Sequence, residues 1–308
     1  MRDGRTFVLG AGFSAPAGYS TLDKLWARAM NFWQLEEPAL FDELSSWERA
    51  DVGSSRVGGD LVVDLCTQIE MMHYFDRANF SAQRLYALKY FLAKAVHLPE
   101  KGVSIPPYYD DFVKGLATTD FVISLNWDVL LEVLLVKHGI PYSYRGEAGK
   151  LHLMKPHGSI HWSYFEPSKQ PSGWLGIGTN TFANNAFMSH DSWLQPRCHL
   201  PLIMLPGYGK LTAVNQLQWV WSTLIKVSLS RGCSIIGFSA GNDDFMISSL
   251  LRYVLKDLCG DGVFKVHILN PCSDHASRIA SLVQSAVPVK VEGLFSHETV
   301  DFALMNCQ

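Results

Sequence analysis

The stretch Thr6-Phe-Val-Leu-Gly10-Ala-Gly12-Phe-Ser14 runs four residues of strand character into two glycines. It reads as a buried strand feeding a tight turn and then a helix. The same grammar recurs downstream. Phe121-Val-Ile-Ser-Leu precedes a helical stretch from Asp128 to His138, and Ser234 to Phe238 precedes one from Asp243 to Leu258. Phe264 to Leu269 precedes Asp274 to Ser285, and Val289-Lys-Val leads into a terminal helix. Strands alternating with helices predict an α/β fold, a doubly wound, mostly parallel, Rossmann-like sheet covered on both faces. Leu151 to Met154 and Pro201 to Leu205 are two more strand candidates, and Val214 to Ser230 is another helix. Between the first two strands, Leu61, Leu65, Ile69 and Met72, then Leu85, Leu88 and Leu92, fall at helical spacing. They predict an inserted helical module, closed by Pro106-Pro107. The expected organisation is a sheet domain from 1–30, 108–162 and 200–308, a helical module over 31–107, and a polar loop insertion over 163–199.

At 308 residues the chain has room for about two domains. Its 26 Lys+Arg against 29 Asp+Glu give a net charge of −3, which argues against nucleic acid or an anionic membrane as the main partner. Charged residues make up 18% of the chain and hydrophobic ones 48%, so part of the surface is expected to be hidden in an assembly. The six cysteines contain no C-x-x-C pair, which offers neither a zinc ribbon nor a disulfide scaffold and suits a reducing compartment. No apolar run approaches the roughly 18 residues of a spanning helix. The apolar stretch after Arg5 is too short and too glycine-broken for a signal peptide. A cytoplasmic protein is expected.

In sheets of this kind ligands gather at the carboxyl ends of the strands, so the turns are the informative segments. After the first strand, Gly10-Ala11-Gly12-Phe-Ser14-Ala satisfies the loose G-x-G-x-x-G/A pattern for a dinucleotide. The acidic residue that a dehydrogenase places roughly 20 residues later is missing, since Arg28-Ala-Met-Asn-Phe-Trp33 is helical in pattern and has no acid. After the second strand comes Ser124-Leu-Asn126-Trp-Asp128, where Asn126 can be read as a helix cap and Asp128 as a first-turn acid. Then come Lys155-Pro-His157-Gly158-Ser159-Ile-His161, Gly237-Phe-Ser239-Ala-Gly241-Asn-Asp-Asp244, and Asn270-Pro271. His161 reads as a core residue. Each turn alone could be packing or capping, but five polar turns along one edge of one sheet form a candidate site.

Taken in order, Gly10-Ala-Gly-Phe-Ser14, Ser124-Leu-Asn126-Trp-Asp128, His157-Gly158-Ser159, Gly237-Phe-Ser239 and Asn270 resemble the sirtuins. The likeness is strongest to the sirtuin-like, NAD-consuming domains of prokaryotic antiviral defence systems. The resemblance implies that Gly10, Ala11, Gly12 and Ser14 cradle the NAD pyrophosphate. It implies that Asn126 holds the nicotinamide ribose or the attacking water, that Asp128 meets the carboxamide, and that His157 is the general base. Gly158 and Ser159 accompany His157 as cofactor-binding residues, and Gly237, Ser239 and Asn270 line the adenosine side.

The chain departs from the protein-deacylating branch. Ser163 to His199 holds only Cys198, too few for a four-cysteine zinc module, and Leu202-Ile-Met-Leu-Pro-Gly207 stands where a Phe-Gly-Glu segment belongs. Tyr19-Ser-Thr21 replaces the phenylalanine–arginine pair after the first loop. The resemblance therefore implies an NAD hydrolase that releases nicotinamide and ADP-ribose, with NAD as substrate and no metal. It also implies gating in a homo-oligomer, or in a complex with a separate ATPase, Argonaute-like protein or sensor. A deacylase or ADP-ribosyltransferase, and a non-catalytic NAD or ADP-ribose sensor, stay open as alternatives. The purified protein is expected to hold no stoichiometric zinc and to keep its Tm in chelator. One zinc per chain by elemental analysis would revive the deacylase.

Overall fold

The computed structural model describes residues 4–39, 41–42, 59–75, 82–97, 99–100, 102–165, 176–177, 200–207, 210, 217–225, 232–241, 244–256, 265–283 and 287–304. Most of the expected 163–199 insertion, together with Cys198, Asn242 and Asp243, lies outside these residues. The chain divides into two compact units: Met1–Tyr19 with Glu100–Pro156 and Leu217–Gln308, and Ser20–Pro99 with His157–Gln216.

The first unit is built on a seven-stranded sheet. Its strands are β1 (Thr6–Leu9), β2 (Phe121–Ser124), β3 (Tyr142–Ser143), β4 (Leu151–Met154), β8 (Cys233–Ile236), β9 (Lys265–Asn270) and β10 (Val287–Glu292), in the order β10-β9-β8-β1-β2-β4-β3. Every pairing is parallel, with Thr6 opposite both Phe121 and Cys233. This is the Rossmann-like α/β fold that the strand–helix alternation predicts. All four residues of β1 and of β2 are buried, which is why they read as unbroken rather than alternating segments. The chain winds from β1 to β2 and β4 on one side and returns to β8, β9 and β10 on the other. The order thus reverses at β1, and the carboxyl end of β1 is the switch point where such sheets bind ligands.

Among the described residues this unit holds the α-helices α1 (Ala11–Ser14), α5 (Tyr108–Lys114), α6 (Leu130–Lys137), α7 (Gln218–Ile225), α8 (Phe245–Lys256), α9 (Ser273–Leu282) and α10 (His297–Leu304), with a 3-10 turn at Ala15–Ala17. Pro107 starts α5, Asp110 and Asp111 sit in its first turn and Lys114 in its last, each charge complementing the helix dipole. At the opposite edge of the sheet from the turns, Arg5 is clamped to Asp120 (Nη2 to Oδ2, 2.6 Å) and donates to the Leu304 carbonyl at 2.7 Å. That clamp ties β1 to the start of β2 and to the end of α10.

The second unit holds α2 (Leu22–Glu36), α3 (Gly59–Phe75) and α4 (Ala82–His97), and a small antiparallel sheet. Trp33 of α2 stacks on Phe91 of α4 with ring centroids 5.5 Å apart. The small sheet joins β5 (Gly158–Phe165), β6 (Gly176–Ile177) and β7 (Leu200–Ile203) in the order β6-β5-β7. The strand expected at Pro201 to Leu205 is therefore real, but it pairs with β5 here and not within the parallel sheet.

Three glycines hold the first unit's ligand edge together. Gly10 N–H donates to the Ile236 carbonyl and Gly12 N–H to the Gly237 carbonyl, both at 2.9 Å, so the turn after β1 lies backbone to backbone on the turn after β8. A Cβ on Gly12 would stand 2.7 Å from the Gly237 Cα, and one on Gly10 2.6 Å from the Gly237 oxygen. Gly237 itself has φ +63°, and its Cβ would meet the Gly12 carbonyl carbon at 2.4 Å. Phe13 anchors the turn from beneath, packed on Tyr109, Phe112 and Phe295 with centroids 5.2, 5.4 and 4.9 Å away. Gly139, which follows α6 at φ +65° with open space around its Cβ position, is the natural control. Gly139→Ala is expected to cost only the left-handed penalty of about 1–2 kcal/mol. Gly237→Ala adds a backbone collision and should lower Tm clearly further by calorimetry. Equal losses would mean that the two turns separate freely.

Candidate functional site

The polar turns of the parallel sheet share its carboxyl edge, and four of them lie within the first unit. Asn126, two residues past β2, reaches across to the turn after β1. Its Nδ2 donates to the Gly10 carbonyl and to the Ser14 hydroxyl, both at 2.9 Å. A backbone carbonyl can only accept, so the nitrogen must face Gly10 and the amide is held in one orientation. With both hydrogens committed, the remaining capacity of the group is the Oδ1 acceptor. Asn126 is half-buried, which leaves it within reach of solvent or a ligand.

Ser14, only 2% exposed, stands beside the Asp128 carboxylate, and its hydroxyl favours the ionised form. Asp128 is 7% exposed, and its Oδ1 accepts the Leu130 N–H at 3.0 Å, closing the turn that begins α6. Burial pushes its carboxyl above the usual aspartate range, against the opposing pull of Lys155, the Leu130 N–H and the Ser14 hydroxyl. Beneath it lies a fully buried cation. Lys155 Nζ donates to the Asp128 backbone carbonyl and, at 2.8 Å, to Glu132 Oε1. Glu132 also accepts from the Tyr144 hydroxyl at 3.1 Å. Burial, then the charges of Asp128 and Glu132, raises the Tyr19 phenol far above its ordinary value, so Tyr19 stays neutral. Tyr109 donates to the Phe13 carbonyl and fixes the first turn from below.

The sequence-expected residues divide by what their atoms are already doing. The packing of the two turns accounts for Gly10, Gly12 and Gly237, and the Gly12 N–H is spent on Gly237. Ala11 is exposed at the tip of the turn. Ser14 accepts from Asn126, which therefore reaches back to the first turn instead of capping α6, and Asp128, two residues ahead of the helix, accepts the Leu130 N–H while Val129 stands at the N-cap. Asn270 is engaged at both ends of its amide: its Nδ2 donates to the Phe238 carbonyl at 2.7 Å and its Oδ1 accepts the Cys272 N–H at 2.9 Å, so it ties the turn after β8 to the turn after β9. Ser239 is half-buried in that turn, next to Ala240 at φ +50°.

His157, Gly158 and Ser159 belong to the second unit. The His157 carbonyl accepts the Met204 N–H at 2.8 Å, and its residue is 9% exposed. Gly158 has φ +79°, and a Cβ there would lie 2.0 Å from the Leu202 oxygen, so the β5–β7 pairing admits only glycine. Ser159 is fully buried within the same pairing, and His161 is buried as expected of a core residue. Among the described residues no group of three or more His, Cys, Asp or Glu is placed to hold a metal. No helix among them is long and apolar enough to cross a membrane. Sequence reasoning quoted Lys155 without giving it a role and passed over Glu132. The signal was a lone carboxylate inside the apolar helix Leu130–Val136 and a lone cation closing the apolar strand Leu151–Met154.

No protein-family model and no curated protein matches the chain. Among solved structures it is similar to one described as "Structural Basis for the Mechanism and Regulation of Sir2 Enzymes", at 15% identity and a TM-score of 0.44 over 98% of this chain and 89% of that one. At that level of likeness the chemistry has to come from this chain's own side chains.

Asp128 gives this site a pH signature. A carboxyl that binds its proton more tightly in the folded state favours folding on the acid side, and that advantage fades as pH rises from about 3.9 through the raised value. Wild-type Tm is therefore expected to fall relative to Asp128→Asn as pH climbs out of the carboxylate range. A gap that stays flat from pH 4 to 8 would mean that the carboxylate is not held against its burial.

Proposed function

We propose that this chain is an NAD hydrolase that cleaves the nicotinamide–ribose bond to give nicotinamide and ADP-ribose. The observation that carries the reading is the Asn126 amide, locked by Gly10 and Ser14 at the carboxyl edge of the switch-point strand with its acceptor oxygen left over. An acceptor held there suits a ribose hydroxyl or a water, the two groups this reaction must position. The ordered sirtuin-like set of turns supports the same reading.

The leaving group is a cationic pyridinium, so no acid is needed to expel it. The C1′–N bond breaks with its electron pair going to the ring nitrogen, and positive charge builds at C1′ as in glycoside cleavage. Water adds at C1′ and gives up a proton to His157, acting as general base. Asn126 orients the ribose or the water. Asp128 acts on Asn126 through Ser14, as a positioning residue in this reading. Ala11, exposed at the tip of the glycine turn, lies against the pyrophosphate, with Gly10, Gly12 and Gly237 shaping the backbone beside it. Ser239 flanks the adenosine side, and Asn270 braces that turn from within. Gly158 and Ser159 set the backbone that carries His157. The protein works as a gated effector of prokaryotic antiviral defence, in a homo-oligomer or with a separate regulatory partner, because an ungated NAD hydrolase would drain its own cell.

Product analysis after incubation with NAD tests this. Nicotinamide and ADP-ribose are expected in equal amounts. Acyl-ADP-ribose formed from an acylated peptide would support the deacylase instead, and bound, intact NAD would support a sensor. His157→Ala is expected to lose about 10²–10⁴-fold in kcat. Asn126→Ala should lower kcat at saturating NAD rather than only raise KM. Wild-type turnover in either variant would break the assignment.

A further inference from the structure

We propose that Lys155 is a positioning residue that sets the Asn126–Asp128 turn, a role that rests on the NAD-hydrolase reading only for its consequence in turnover. Lys155 ends the buried strand β4, and its side chain has no exposed surface. Burying an ammonium is costly unless it is paired and hydrogen-bonded, so its partners show what it is for. One partner is Glu132, the single carboxylate within the apolar helix α6, at 2.8 Å. The other is the backbone carbonyl of Asp128 itself. The ammonium carries three N–H donors, so Glu132 alone does not satisfy it, and where the next bond falls decides what else it holds. The second partner fixes the main chain at the point where β2 turns into α6, two residues from the amide that faces Gly10 and Ser14.

Lys155 holds the Asp128 carbonyl, and two residues earlier on the same turn Asn126 holds both Ser14 and Gly10. Glu132 is tied in turn to Tyr144, so neither member of the ion pair can swing away. The direction of the Asn126 Oδ1 therefore depends on a cation that does not touch the ligand edge.

A purely structural ion pair and a positioning one respond differently to replacement by apolar groups. Swapping a buried pair for hydrophobic residues of similar volume is often neutral or stabilising. The test is the double variant Lys155→Met with Glu132→Met, compared with wild type by Tm, by amide hydrogen exchange of residues 125–130, and by kcat and KM for NAD. The expected result is a folded protein with unchanged or higher Tm. Exchange across 125–130 should be at least 10-fold faster, and kcat at least 10-fold lower with KM changed less. Exchange at the wild-type rate in a folded double variant would overturn the proposal whatever the turnover. If the double variant does not fold, Lys155→Gln serves, since Glu132 can then take up a proton in place of its partner, and the same exchange criterion decides. Faster exchange with no NAD cleavage even in wild type would keep the positioning role and reject the hydrolase.

Discussion

The contact between Gly12 and Gly237 is the constraint on which the rest of the first unit's edge depends. Two backbones meet there with no side chain between them, joined by a hydrogen bond of 2.9 Å. Because β1 sits between β8 and β2, this contact locks the turns of two neighbouring strands into one surface at the switch point of the sheet. Phe13 and its aromatic partners hold that surface from below. The Gly10 carbonyl emerges from it in position to receive the Asn126 amide. The glycines here serve close packing first, and any approach to a phosphate follows from the shape that this packing creates.

Above that contact the site is a hydrogen-bonded turn braced from two sides. Asn126 donates to Gly10 and Ser14, Asp128 accepts from Leu130, and Lys155 holds the Asp128 carbonyl and supplies the charge that offsets Glu132. Such a network specifies one arrangement because a half-satisfied version of it costs more than an apolar core would. Its output at the ligand edge is one acceptor oxygen of fixed direction. The burial that raises the Asp128 carboxyl and the Tyr19 phenol belongs to the same closed interior.

Much of the fold was legible before any coordinates. The unbroken burial of Thr6–Leu9 and Phe121–Ser124 leaves no alternation to read, and their alternation with helices points to a parallel sheet. The pairing of Leu200–Ile203 was not legible, because a short apolar strand carries no mark of which sheet it joins. For the candidate site, the polar turns after the strands could be picked out, but what their side chains bond to could not. Ser14 and Asn270 look like ligand contacts in sequence and are hydrogen-bonded internally in space. Lys155 and Glu132 are 23 positions apart, at a separation that no local pattern links. What could have flagged them is their charge within apolar segments, since such groups stay buried only when paired.

A crystal structure of the protein with ADP-ribose tests the central claim most directly. The account predicts a ribose hydroxyl within about 2.7–3.0 Å of Asn126 Oδ1, the diphosphate over the exposed turn at Ala11, and Asn126 Nδ2 still on Gly10 and Ser14. A ligand bound away from the carboxyl edge of β1, or an Asn126 amide turned to present its nitrogen to the sugar, would contradict it.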